Sequence, residues 1–142
     1  MQKKVVITID GLHNRQGDEE RLINTSSGIL EVLDSEIVVN GDEQVDESGE
    51  KVRTIFRIRD GRIKMVRKGN FSSVMIFEKG YDHHVDYATP YGTMDMLVKT
   101  SSLDINKEDI SNIIANVEYE LLMDDKTMSR AKVKIEVKED MN

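Results

Sequence analysis

Residues 51–68 read KVRTIFRIRDGRIKMVRK. Apolar and polar residues alternate with period two on both sides of Asp60-Gly61, the pattern of two strands joined by a two-residue hairpin turn. With Asp60 and Gly61 at the central turn positions, the register follows. Arg59 faces Arg62, Arg57 faces Lys64, Ile55 faces Val66 and Arg53 faces Lys68. On the other face Ile58 meets Ile63, Phe56 meets Met65 and Thr54 meets Arg67. One face is apolar and the other cationic, as a half-buried antiparallel pair requires.

The cationic face holds Arg53, Arg57, Arg59, Arg62 and Lys64, a basic patch in a chain whose net charge is −7. Like charges directly opposite one another destabilise a sheet, so this face needs acidic neighbours. They are close in sequence, because residues 18–50 carry eleven acids and one base, Arg21. Glu36, Asp42 and Glu43, or the loop Asp46-Glu47-Ser48-Gly49-Glu50, are placed to neutralise the arginines. The competing use of such a patch is a polyanion such as RNA, whose phosphates need clustered Lys and Arg. The acidic whole chain and the shortage of stacking aromatics, three Phe, four Tyr and no Trp, count against nucleic acid.

Arg67 falls on the apolar face, where an unpaired charge is costly. It is expected to pair with an inward acid, to snorkel to water at a strand end, or to anchor an anionic head group in the lumen.

A chain of 142 residues suits one domain, spanning 1–142, with one core. It has no cysteine, which excludes disulfides, thiolate catalysis and zinc-thiolate sites. No apolar run approaches membrane-spanning length, and the start, Met1-Gln2-Lys3-Lys4-Val5-Val6, alternates too early for a signal peptide. A cytoplasmic protein of bacterial type, with no membrane partner, is expected.

Strand patterns continue outward from the hairpin. Lys4–Leu12 is β-branched-rich, and His13–Glu20 reads as a polar loop. Ser27–Leu33 and Glu36–Asn40 break near Asp34-Ser35. Ser73–Glu78 admits two registers, of which the one sending Met75 and Phe77 inward buries more apolar area. His84–Thr89 ends at Pro90, the only proline, and Thr93–Thr100 sets Met94, Met96 and Val98 on one face. Asp104–Asp109 is expected to hold one short helical turn capped by Asp104. Asn112–Met123 and Ala131–Lys138 make a last hairpin. About ten strands joined mainly by short turns argue for an up-and-down barrel or a curved sandwich, and an all-β, up-and-down antiparallel barrel is the expected fold.

The ordered motifs Arg67-Lys68-Gly69, Phe77-Glu78-Lys79-Gly80, Tyr87-Ala88-Thr89-Pro90-Tyr91-Gly92 and Lys99-Thr100 carry a likeness over nearly the whole chain. In them the sequence resembles the YwiB-like family of small bacterial proteins of unknown function. The resemblance implies a calycin (lipocalin-like) β-barrel and supplies no catalytic residues. One departure is Val39-Asn40-Gly41-Asp42-Glu43, where members usually carry a Tyr-x-Glu-like strand.

Other chemistry is sparse. His83-His84 with Asp82 and Asp86 resembles a metal set, but adjacent strand residues point to opposite faces, so no metal or other cofactor is expected. Glu118 and Glu120 could serve an enzyme together with a tyrosine, yet their alternation turns both outward. A non-enzymatic barrel therefore leads. It would bind a small, partly apolar anionic or lipid-like ligand, with Arg67 on the charge and Thr54, Tyr87 and Tyr91 around it. The alternative is a protein- or RNA-contacting module using the basic hairpin. Monomer and homodimer are both open.

Overall fold

The computed structural model describes residues 2–45, 49–69 and 72–141. Its strands are β1 (Gln2–Arg15), β2 (Asp18–Leu33), β3 (Glu36–Gly41), β4 (Gln44–Val45), β5 (Lys51–Arg59), β6 (Arg62–Gly69), β7 (Ser72–Phe77), β8 (Asp82–Thr89), β9 (Gly92–Asn106), β10 (Asn112–Met123) and β11 (Lys126–Glu139). All pairings are antiparallel, and β11 returns to β1. Pairing of β3 with β5 closes the ring, leaving the two-residue β4 as an addition on β5. Ten strands thus form an up-and-down barrel, which removes most of the unpaired edge an open sheet would expose.

The central hairpin has the register that its alternation predicts, from Arg59↔Arg62 to Arg53↔Lys68. Met75 and Phe77 face inward, Met75 opposite Met65 and Phe77 opposite Ile63. The core is built from inward positions of every long strand, among them Ile7, Leu30, Val39, Phe56, Ile58, Ile63, Phe77, Val98 and Val137. The Phe77 and Tyr119 rings meet at 4.8 Å between centroids, tilted by 47°.

Two expectations fail. His13–Glu20 is no loop: β1 runs to Arg15 and β2 starts at Asp18, around a turn of Gln16 and Gly17. Both turn residues have positive φ, the requirement of a type I′ hairpin. Its arms are polar because they are solvent-exposed, so no period marks them. Nor do residues 104–109 form a helical turn, since Asp104 lies inside β9 opposite Asn116. The last hairpin likewise turns tightly at Asp124-Asp125.

Candidate functional site

Five positions of inward parity line up across neighbouring strands at one end of the barrel. Thr54 pairs with Arg67, Arg67 with Ser73, Ser73 with Tyr87, and Tyr87 with Met94. Of the expected ligand residues, Thr54, Arg67 and Tyr87 thus share one transverse row. Tyr91 does not join it, being 95% exposed on the β8–β9 turn.

Arg67 shares the inward parity of Ile63 and Met65, but its side chain is exposed. The expectation of a guanidinium inside an apolar lumen is corrected accordingly. Position 67 stands near the end of β6, where the wall gives out, and the long side chain reaches water. Among the described residues it makes no ion pair.

Two further parts of the site escape sequence reasoning. Ser73 is 6% exposed and stands next to Arg67 in the row. Its signal was its parity with Met75 and Phe77, visible only once that register is chosen. Below the row, Met65, Met75 and Met96 face inward yet remain partly accessible, packed against the core. The wall beside them is loosely zipped. Among the described residues the β7–β8 ladder holds only Ser72–Ala88, Ser73–Tyr87 and Val74–Asp86, although β7 continues to Phe77 and β8 starts at Asp82. Among the described residues the buried Thr100 hydroxyl has no hydrogen-bond partner.

Burial lowers the His13 pKa, with Arg15 adding to the shift, and burial raises that of the Tyr119 hydroxyl. In both groups burial favours the neutral form, and Glu20, opposite His13, partly offsets the shift of that imidazole.

The outer basic patch is partly neutralised from within. Arg57 Nη1 and Arg59 Nε donate to the two oxygens of Glu36 at 2.7 and 2.8 Å. Lys51 lies 3.9 Å from Glu43, and Asp60 is met by Lys107 at 2.7 Å. Residues 46–48 of the proposed acidic loop lie outside the described residues. A cavity of about 320 Å³ opens on this outer side, lined by Ile29, Glu31, Val38, Asn40, Asp42 and Arg53 among others, away from Arg67.

The two arginines hold the Glu36 carboxyl below its usual range, Arg59 most strongly. A depressed carboxylate stabilises the fold above its unfolded pKa of about 4.3 and loses that effect as pH falls through the lower folded value. The melting temperature of Glu36→Gln should therefore lie below wild type by a constant margin from about pH 7 to 5. The gap should close in more acidic buffer. A gap independent of pH would assign the effect to shape rather than charge.

His83 and His84 take separate partners, Glu78 at 3.0 Å and Asp95 at 3.3 Å. Glu118 and Glu120 point outward to Lys132 and Arg130.

The family described as Domain of unknown function (DUF1934) matches residues 7–135. The crystal structure of the ywiB protein from Bacillus subtilis superposes with a TM-score of 0.85 at 15% identity, covering 99% of this chain and 94% of that one. At that identity the likeness shows a shared fold. No curated protein matches.

Proposed function

The chain belongs to the DUF1934 family of unknown function, and from that starting point we propose that it is a non-enzymatic binding barrel for a small anion with an apolar tail. Arg67 meets the charge at the rim, the hydroxyls of Thr54 and Ser73 add hydrogen bonds, and Tyr87 flanks it. The tail lies over Met65, Met75 and Met96, whose flexible thioethers adapt to varied apolar shapes. One observation carries this reading: an inward-register arginine, between two hydroxyl residues, that no described carboxylate neutralises.

Calorimetric titration with medium-chain alkyl carboxylates tests it. Arg67→Met should weaken binding about ten- to a hundredfold, since it removes a charge-assisted hydrogen bond while keeping apolar bulk. Unchanged affinity in that variant would remove Arg67 from the site.

A second reading uses the outer basic face. Arg53, Arg62, Lys64 and Lys68 make no ion pair among the described residues, in contrast to Arg57 and Arg59. RNA binding whose affinity fell steeply with salt would favour it.

A further inference from the structure

β2 is 16 residues long, but β3 pairs only with its second part, Gly28–Leu33. Two residues beyond that ladder are still covered from the same side. The Asp42 N–H donates to Ser27 O at 2.8 Å, and Gln44 Nε2 donates to Thr25 O at 3.2 Å. From Asp18 to Asn24, β2 pairs with β1 alone among the described residues, and every residue there is exposed.

The same two contacts establish which groups this edge presents. The N–H and C=O of one strand residue point to one side, and the side alternates along the chain. Glu19, Arg21 and Ile23 therefore share the direction of Thr25 and Ser27, away from β1. The edge also carries Leu22 and Ile23, 41% and 59% exposed. An exposed edge with apolar residues is a template for another strand.

We propose that this edge pairs with the same edge of a second copy, antiparallel, about a two-fold axis at Leu22. Two β1–β2 hairpins then become one four-stranded sheet, an isologous contact. Charge selects the axis. Only odd-numbered residues offer free backbone groups, so the axis must pass through a residue. An axis at Glu20 or Arg21 sets like charges opposite each other, which is unfavourable. An axis at Ile23 needs the backbone of Thr25, whose carbonyl Gln44 already occupies. At Leu22 the two leucines meet, Glu20 faces Asn24, Glu19 faces Thr25, and each Arg21 lies beside the other copy's Ile23. The Arg21–Asp10 pair at 2.7 Å is untouched. About four backbone hydrogen bonds form between Arg21 and Ile23 of the two chains.

The chain has no cysteine, so introduced thiols report on this contact directly. Residues facing each other at a non-hydrogen-bonded antiparallel pair have Cα atoms about 4.5 Å apart, within disulfide reach. Under mild oxidation Leu22→Cys should cross-link to a dimer about tenfold faster than Glu20→Cys, which faces Asn24 rather than itself. Ile23→Pro removes an edge donor without touching the β1 ladder, and should raise the dimer dissociation constant in sedimentation about tenfold or more. Cross-linking at position 20 as fast as at 22, a wild-type protein monomeric at all concentrations, or an unchanged constant in Ile23→Pro would each overturn the proposal.

Discussion

Phe56→Ala should lower stability by about 3–5 kcal/mol, which for a domain of this size is a fall of about 10 °C or more in melting temperature. Phe56 is fully buried and stands at the closure of the barrel. It pairs with Met65 on β6 and with Val39 on β3, the strand that seals the ring. Truncation would leave a void shared by three strands, and the closed sheet can collapse into it only by changing its own curvature. Thermal melts of wild type and variant measure the loss. A shift of only a degree or two would mean that the ring tolerates a hole at its seam.

Gly28→Val should cost about 3 kcal/mol, near the upper end for overpacking. A Cβ built at Gly28 lies 2.7 Å from the Asn40 carbonyl oxygen and 2.9 Å from Ile7 Cδ1. The first obstacle is backbone, so relief requires β2 and β3 to part. They would part beside Gly41, the Cα partner of Gly28 and the last residue of β3. Urea unfolding of the variant measures the cost, and a midpoint equal to wild type would show that the two strands have slack there.

The hairpin at 51–68 was legible because its inner and outer faces differ chemically at almost every step. Glu118 and Glu120 could be assigned outward for the same reason. The β1–β2 hairpin tip was not legible, since both faces of Asp18–Asn24 meet water and leave no alternation to detect. Closure was equally hidden: the β3–β5 pairing depends on curvature spread over ten strands, to which no local pattern points. The bulges at Glu118/Tyr119 and Leu121/Leu122 also leave no trace in the residue order. For the candidate site, parity put Thr54 and Arg67 on the correct face. Parity cannot say where a wall ends, so the exposure of Arg67 and its row with Ser73 emerged only from the structure.

Methionine methyl NMR addresses the binding account most directly, because the chain holds eight methionines, and those among the described residues are spread over rim, interior and surface. On titration with decanoate, the methyl signals of Met65, Met75 and Met96 should shift together and saturate at one dissociation constant, while exposed Met128 and Met141 stay still. Signals that do not move, or that move only at the exposed positions, would contradict a ligand seated beneath Arg67.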